Sequence, residues 1–377
     1  MTDSLEDNRA PKVQASGQTS GLSRRAFVRY GAASVGVAAV GGGIAAMANR
    51  PALSPRQQGL PTIPDWTATD IPSLRGRSAL VTGGNGYPVD DRSGLGFHDA
   101  LGLARAGADV TIASRKQERG EEAVRRIKAS VPGASIRFEA LDLSNLASVA
   151  EFAERMRASR GSLDILVNNA GVMGRKSREV STDGFERVFA TNTLGHFALT
   201  ARLLPLLRKG NSPRIVWVSS SRALMGAINF ADLQLAQDYD YGAAYDNSKL
   251  ANLMLAFEME RRSAAEGWGI SVIAAHPGIA RTNLVPDGPG PDSLEGRNHR
   301  YMPFLFQPPA QGALPTLYAA TSPQAVAGGY YGPNGFLGLG GLPGWAGIPE
   351  KADDQKIAAR LWATVEQLGG VTFGRTA

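Results

Sequence analysis

Short apolar runs alternate with longer amphipathic segments along most of this chain. The longer segments carry apolar residues at helical spacing and lie at 117–130, 145–159, 184–208 and 243–265, with a further one starting at Gly94. The apolar runs occupy 78–81, 109–113, 135–141, 163–168, 213–219 and 269–275. Strands that alternate with helices of this length favour a parallel sheet covered by helices on both faces. The sequence therefore predicts an α/β fold with a doubly wound parallel sheet.

The pattern is looser on either side of this core. Five prolines fall between 50 and 73, so we expect residues 49–73 to form a linker or a surface arm and a single domain to occupy 74–377. Toward the C-terminus, Tyr330-Tyr331 is the expected last strand and 352–368 an amphipathic closing helix.

Residues 1–48 have the organisation of an export signal. A basic stretch at 23–29 precedes a mildly apolar run at 30–48 that ends in Ala46-Met47-Ala48. This order of a basic region, an apolar region and a small-residue cleavage site is typical of secretory signals. The pair Arg24-Arg25 resembles a twin-arginine (Tat) signal, which implies the twin-arginine export machinery as a partner and a periplasmic location. A chance arginine pair and a retained membrane anchor stay open as alternatives.

Composition excludes several kinds of site. The chain has no cysteine, which rules out disulfides, thiol nucleophiles and thiolate metal sites. Its four histidines are not at metal-ligand spacing, so we expect no metal. The net charge of +6 is spread without a long basic run, which favours ordinary surface charge over nucleic-acid binding.

Candidate chemistry is concentrated in Tyr245-Asp246-Asn247-Ser248-Lys249, which the following apolar spacing places on a helix. Positions four apart share a helix face, so the Tyr245 hydroxyl and the Lys249 ammonium are expected to be neighbours. A nearby cation lowers the pKa of a tyrosine from its reference value of about 10, which would let the pair exchange a proton with a substrate oxygen. A solvated helix face is the alternative explanation for this spacing.

A second candidate site follows the first strand. Thr82-Gly83-Gly84-Asn85 and, further on, Gly94-Leu95-Gly96 form a glycine-rich turn that leads into a helix. Glycines let the backbone approach a pyrophosphate closely, and the free N–H groups at a helix N-terminus bind the anion.

In this order, the motifs resemble the short-chain dehydrogenase/reductase family over roughly 76–283. The motifs are Thr82-Gly83 with Gly94-Leu95-Gly96, Asp142-Leu143, Asn168-Asn169-Ala170-Gly171, Asn192-Thr193-Leu194-Gly195, Val218-Ser219-Ser220, Tyr245 with Lys249, and Pro277-Gly278. Further stretches are similar to the retinol-dehydrogenase-like branch, namely His196-Phe197, Phe230-Ala231-Asp232-Leu233, Ser248-Lys249-Leu250-Ala251-Asn252 and Leu361-Trp362. The resemblance implies a Rossmann-type catalytic domain and an NAD(P)-dependent dehydrogenase or reductase acting on the CH–OH groups of lipophilic alcohols and their carbonyls.

The resemblance also implies a catalytic role for each of four residues. Tyr245 would be the acid–base residue, and Lys249 would lower its pKa and hold the nicotinamide ribose. Ser220 would hydrogen-bond the substrate oxygen, and Asn192 would hold a water that relays protons to Lys249. A strand-end hydroxyl and a structural amide are the alternatives for Ser220 and Asn192. For the whole protein the alternative is a non-catalytic NADP-binding sensor or scaffold.

The predicted cofactor is NADP. NAD enzymes place a carboxylate at the end of the second strand, whereas this chain has Ser114-Arg115-Lys116, whose arginine can grip a 2′-phosphate. A solvated helix start is the alternative for Arg115. The resemblance assigns the other contacts to Gly83, Asn85, Ser93, Gly94, Leu95 and Gly96 at the phosphates, Asp142 and Leu143 at the adenine, Asn169, Ala170 and Gly171 at the adjoining ribose, Tyr245 and Lys249 at the nicotinamide ribose, and Pro277, Gly278, Ile279 and Thr282 at the nicotinamide end.

The glycine-rich turn departs from the family pattern. Ten residues, 84–93, stand where the family has three, which leaves a seven-residue insertion at 86–92. Two interpretations are open: a flap over the cofactor phosphates with Arg92 as an extra contact, and a solvent loop without a role.

The region 284–308, rich in proline and glycine, would form a lid over the substrate site in this family. Its apolar cluster at 301–306 suits a small lipophilic alcohol or carbonyl substrate, with a packing or dimer contact as the alternative. Family members commonly pair through the helices expected at 184–208 and 243–265, so a homodimer or homotetramer is open.

Overall fold

The computed structural model describes residues 54–374, and its centre is one sheet of eight strands. The strands are β1 (Ser78–Thr82), β2 (Asp109–Ser114), β3 (Ile136–Ala140), β4 (Ile165–Asn168), β5 (Arg214–Val218), β6 (Ser271–Ala275), β7 (Tyr330–Pro333) and β8 (Pro343–Trp345). Their order is β3-β2-β1-β4-β5-β6-β7-β8, and every neighbouring pair is parallel except the antiparallel β7 and β8. The predicted Rossmann-type, doubly wound parallel sheet is confirmed.

Helices connect the strands on both faces of the sheet. They are α1 (Leu95–Arg105), α2 (Gln117–Ser130), α3 (Leu146–Ser159), α4 (Arg187–Phe189), α5 (Gly195–Leu207), α6 (Tyr241–Glu266), α7 (Leu284–Asp287), α8 (Leu294–Tyr301), α9 (Pro309–Gly312), α10 (Leu314–Thr321) and α11 (Gln355–Gly369). A π turn, Ala190–Leu194, joins α4 to α5. The sequence predicted α1 to α6 and α11, with α4, the π turn and α5 taken as one helix, but it missed β8 and the helices α7 to α10.

Each face of the sheet has its own apolar core. On one face Phe97 of α1 and Ile127 of α2 pack with Val81. On the other face Phe197 of α5 and Leu253 of α6 belong to a second cluster. Because side chains alternate along a strand, the central strands contribute to both cores, as Leu80 and Val81 do in β1. This is why the strands appear as short continuous apolar runs in the sequence.

The strand order places the candidate motifs at one edge. β1 lies between β2 and β4, so the chain winds outward to β3 and then crosses back to β4. Ligands of such sheets bind outside the carboxyl ends of the strands where the winding reverses. The glycine-rich turn after β1, Asn169-Ala170-Gly171 after β4 and Ser220 after β5 all follow carboxyl ends of central strands.

The arm at 54–73 lies against the domain. The Trp66 ring is buried and meets Tyr318 edge-on at 5.4 Å between ring centroids, and Gln57 Nε2 donates to the Ala346 carbonyl at 2.9 Å. The predicted export signal at 1–48 lies outside the residues that the structure describes. Within 54–374, no helix is both long enough and apolar enough to cross a membrane.

Candidate active site

Tyr245 and Lys249 lie one turn apart on α6, which Asp240 caps by accepting a hydrogen bond from Ala243 N at 2.6 Å. Both side chains are buried, at 7% and 3% exposure. Lys249 Nζ lies 5.6 Å from the centre of the Tyr245 ring and donates to the Val218 carbonyl at the end of β5 at 2.9 Å. The prediction that the two side chains are neighbours is confirmed.

Burial sets the protonation of this pair. It raises the pKa of Tyr245 to about 12, although a hydrogen bond with Ser220 and the charge of Arg222 act in the lowering direction. Burial also lowers the pKa of Lys249 to about 8. The net direction is therefore opposite to the expected lowering, because loss of hydration is the largest cause and Lys249 is not among the groups that lower this pKa. A neutral Tyr245 hydroxyl is in the form that donates a proton.

Ser220 stands at the carboxyl end of β5 and caps the short 3₁₀ turn Ser221–Leu224. Its hydroxyl hydrogen-bonds Tyr245 and also accepts from Arg222 N at 3.2 Å. The Tyr330 hydroxyl donates to the Ser220 carbonyl at 3.3 Å. The structure therefore places the Ser220 hydroxyl beside that of Tyr245, as a shared site for a substrate oxygen requires.

An ion pair that the sequence did not indicate fixes this turn. Arg222 Nε and Nη2 contact the two carboxylate oxygens of Asp246 at 2.5 and 2.8 Å. Asp246 follows Tyr245 directly, so the pair joins the turn carrying Ser220 to the helix carrying Tyr245. Arg222 and Asp246 are 24 positions apart, which matches neither helix nor strand spacing, so their contact is seen only in the folded protein.

Asn192 lies in the π turn, a feature that is frequent at functional sites. Its Oδ1 accepts from Val172 N at 2.8 Å, and its Nδ2 donates to the Val172 carbonyl and to Ser248 Oγ, each at 3.0 Å. A methyl group added at Gly171 would lie 3.5 Å from Asn192 Oδ1 and 3.5 Å from Lys249 Nζ. The amide oxygen and the ammonium therefore both lie beside Gly171, where a bridging water would have a donor and an acceptor.

The glycine-rich turn packs tightly against the segment after β4. Gly83 has a φ of +73°, and a Cβ there would lie 2.9 Å from Ala170 Cα. A Cβ at Gly96 would collide with the Asn169 amide. The N-cap of α1, Gly94, offers no side-chain cap, so the first N–H groups of the helix are available to an anion.

The end of β2 suits a phosphorylated ribose. Ser114 Oγ is buried without a hydrogen-bond partner in the described part of the chain, while Arg115 and Lys116 are exposed. They precede the N-terminus of α2, which also lacks a side-chain cap. Two cations, an orphaned hydroxyl and free helix amides fit a bound 2′-phosphate.

Most of the other predicted cofactor contacts already make hydrogen bonds within the protein. Asp142 Oδ1 accepts from Ser144 N and Oγ, and Leu143 is buried in the core. Ser93 Oγ lies 2.7 Å from His98 Nε2. Pro277 O accepts from Gln307 Nε2, and Ile279 N donates to Leu339 O. Thr282 Oγ1 accepts from Leu284 N at 3.3 Å.

The insertion at 86–92 is anchored at its base and on the side of α2. Gly94 N donates to the Gly86 carbonyl at 2.6 Å, which closes the base of the loop. The Arg126 guanidinium lies 4.3 Å from the Tyr87 ring centre, and its Nη1 donates to Pro88 O at 2.9 Å. The insertion therefore leaves the start of α1 in place.

A second anchor ties the insertion to the segment after β6. Asp91 Oδ2 lies 2.7 Å from Arg281 Nε, and Arg281 Nη1 donates to the His299 carbonyl on α8 at 3.0 Å. The insertion thus joins α2, on one side of the α1 N-terminus, to the region predicted to be the lid. Both interpretations of its role, a flap over the cofactor phosphates and a solvent loop without a role, stay open.

The predicted lid comprises α7, α8 and the 3₁₀ turn Pro303–Leu305. It is fastened to the start of the catalytic helix, because the Tyr241 hydroxyl donates to Glu295 Oε2 at 3.2 Å. Tyr301 and Phe304 are 69% and 77% exposed. The predicted lid therefore exposes two aromatic side chains to solvent.

The comparisons with known proteins agree with this geometry. A family model described as short chain dehydrogenase matches residues 77–288. Human retinol dehydrogenase 14 is 36% identical over 325 residues, which cover 79% of this chain and 88% of that protein.

Two solved structures are also similar. An uncharacterised protein from Mycobacterium paratuberculosis is 37% identical, with a TM-score of 0.67 and coverage of 83% of this chain and 100% of that chain. The Pseudomonas aeruginosa RhlG/NADP active-site complex is 26% identical, with a TM-score of 0.54 and coverage of 68% and 94%. This chain belongs to the short-chain dehydrogenase family and is an NAD(P)-dependent dehydrogenase or reductase.

Proposed function

We propose that this protein uses NADP to interconvert a lipophilic alcohol and its carbonyl compound, with Tyr245 as the acid–base residue. The observation that carries the proposal is the buried group of Tyr245, Ser220, Lys249 and Asn192 at the carboxyl edge of the sheet. A non-catalytic sensor would have no need to keep these four groups together.

In carbonyl reduction the carbon gains a hydride and the oxygen gains a proton. The nicotinamide cofactor supplies the hydride when it is bound. Ser220 holds the substrate oxygen by a hydrogen bond, and the neutral Tyr245 hydroxyl donates the proton to it. Lys249, with its pKa near 8, can return a proton to Tyr245, and the Asn192 amide beside Gly171 would hold a water that relays a proton to Lys249. Alcohol oxidation runs the same proton path in reverse.

The variant Tyr245→Phe tests the mechanism. It removes the proton donor and keeps the ring that packs beside Lys249. We expect kcat to fall by about 10²–10⁴-fold, the range for general acid–base catalysis, while NADPH binding stays close to wild type. Wild-type turnover in this variant would refute the role of Tyr245.

Support for NADP comes from the end of β2 and from the NADP-bound neighbour. Arg115 and Lys116 are exposed beside the orphaned Ser114 hydroxyl, where an NAD-specific site would carry a carboxylate. The variant Arg115→Ala should raise the Kd for NADPH by about tenfold or more and leave that for NADH nearly unchanged. Equal effects on both cofactors would contradict the assignment.

Support for a lipophilic substrate comes from the retinol dehydrogenase relative and from the aromatic lid. We expect kcat/KM in a series of carbonyls to rise with chain length, since each added buried methylene is worth about 0.8 kcal/mol. A preference for short, polar carbonyls would oppose this part of the proposal.

We also propose export through the twin-arginine route, on the strength of Arg24-Arg25 and the apolar run behind it. The test is to purify the protein from the exported fraction, sequence its N-terminus and identify the released nucleotide by mass. A start at Asn49 with stoichiometric NADP would support cleavage and cofactor loading before export. An intact N-terminus on a membrane-bound protein would indicate a retained anchor.

A further inference from the structure

His196 is a fully buried histidine with no part in the proposed chemistry. It lies in the first turn of α5, next to the π turn that carries Asn192. Its Nδ1 is 3.0 Å from the Asn192 carbonyl oxygen, and its Nε2 is 2.8 Å from Thr82 Oγ1 at the end of β1. The ring thus spans the distance between the cofactor turn and the catalytic asparagine.

The partners of His196 fix its tautomer. A carbonyl oxygen can only accept, so Nδ1 must carry the proton that reaches Asn192. Burial lowers the pKa of His196 to about 4, so the ring is neutral and Nε2 accepts. The Thr82 hydroxyl then donates to Nε2 at 2.8 Å in preference to the Val167 carbonyl at 3.2 Å.

Thr82 in turn holds the segment after β4. Its Oγ1 accepts from Asn169 N and Ala170 N, each at 3.0 Å. Hydrogen bonds therefore run in one direction, from the Asn169 and Ala170 amides to Thr82, then to His196 and on to the Asn192 carbonyl.

The Asn192 carbonyl has a second donor, Asn252 Nδ2 on the catalytic helix at 3.0 Å. Both lone pairs of this carbonyl are therefore used. The group of Asn192 that lies with Lys249 Nζ beside Gly171 is instead the side-chain Oδ1. Hydrogen bonds with Val172 and Ser248 orient this amide, while its position depends on how the Asn192 peptide is held.

We infer that His196 is a positioning residue that, as the Nδ1–H tautomer, holds the Asn192 peptide so that the side-chain amide oxygen lies with Lys249 Nζ beside Gly171. The inference rests on the proposed function, since it assigns Asn192 to the proton path. A misplacement of about 1 Å in such a group can cost about 10²-fold in rate.

Three variants separate the two hydrogen bonds of the ring. His196→Asn can place an amide donor near Nδ1 and keep the bond to Asn192, while His196→Gln can keep an acceptor for Thr82. His196→Leu keeps neither. We expect kcat with NADPH and a lipophilic aldehyde to fall by about 10²-fold in the Gln and Leu variants and by less than about tenfold in the Asn variant. The KM for the aldehyde and the Kd for NADPH should stay close to wild type.

A purely structural role would lower stability and activity in all three variants alike, and that result would overturn the inference. So would wild-type kcat in His196→Leu. Urea unfolding of each variant reports its stability separately. The near-isosteric Asn and Gln variants decide the question if the Leu variant does not fold.

A second measurement does not need turnover. The chain has only four histidines, so the ¹⁵N NMR signals of the His196 ring can be assigned as those that disappear in the His196 variants. We expect a neutral Nδ1–H ring at pH 7, and an Asn192 side-chain amide signal that moves in the Gln and Leu variants but not in the Asn variant. A wild type without turnover would refute the proposed function alone. The inference would be refuted by a His196 ring that is cationic or protonated at Nε2. It would also be refuted if the Asn192 side-chain amide signal were unchanged in all three variants.

Discussion

Replacing Lys249 by methionine should make the nucleotide-free protein more stable although it abolishes turnover. The ammonium is 3% exposed and donates to the Val218 carbonyl at 2.9 Å. Burial is the cause of its lowered pKa, and within residues 54–374 no carboxylate acts against it. Methionine retains the apolar length of the side chain without the charge.

The magnitude follows from the lysine pKa. A shift from 10.5 to about 8 means that keeping Lys249 charged in the folded state costs about 3 kcal/mol at neutral pH. The variant also leaves the Val218 carbonyl without its donor, which costs about 1–3 kcal/mol. We therefore expect the variant to be more stable by up to about 2 kcal/mol at pH 7.

The gain should depend on pH. The unfolded chain keeps the lysine proton up to about pH 10.5, whereas the folded protein releases it near pH 8. Between these values the unfolded state binds more protons, so the wild type becomes more stable as pH rises. Since the variant lacks this contribution, its advantage should shrink and then reverse by about pH 10.5.

Urea unfolding at pH 7 and pH 10, followed by tryptophan fluorescence, measures both effects. Lys128→Met, at an exposed position on α2, is the matched control and should show neither the gain nor the pH dependence. A Lys249→Met protein that is less stable than wild type at pH 7, with a difference independent of pH, would refute the reasoning.

Three other predictions concern buried or paired charges. Burial raises the pKa of Asp99 well above its usual value, so the folded state binds more protons and wild-type stability should fall as pH rises above about 4. Urea unfolding of Asp99→Asn should show no such fall, and a fall equal to that of the wild type would contradict this prediction. Arg281→Gln breaks the contact with Asp91, an ion pair with one largely exposed partner, and such pairs are worth about 1 kcal/mol. The variant should therefore speed NADPH release up to about fivefold in stopped-flow fluorescence, and an unchanged rate would mean that the insertion does not retain cofactor. Arg222→Met strands Asp246 and should lower the free energy of unfolding by about 3 kcal/mol, with partial recovery when Asp246→Leu is added; no recovery would argue against an unpaired buried charge as the cause.

The architecture and the place of the candidate chemistry could be predicted from the sequence. The spacing of apolar residues along a segment shows which of its positions are buried. The strands of the central sheet and the helices between them could therefore be predicted within a few residues. The turn after β1 and the Tyr245–Lys249 spacing were also readable, because short motifs adopt the same local geometry wherever the surrounding elements agree.

Contacts between distant residues and the degree of burial could not be predicted from the sequence and are seen only in the folded protein. Lys249 was expected to lower the Tyr245 pKa, but the sign follows from how completely both side chains lose water, which spacing does not encode. The two anchors of the insertion, and the line of hydrogen bonds from Thr82 through His196 to Asn192, join segments that no sequence period relates. These contacts exist because the winding of the sheet brings the carboxyl ends of its central strands to one edge.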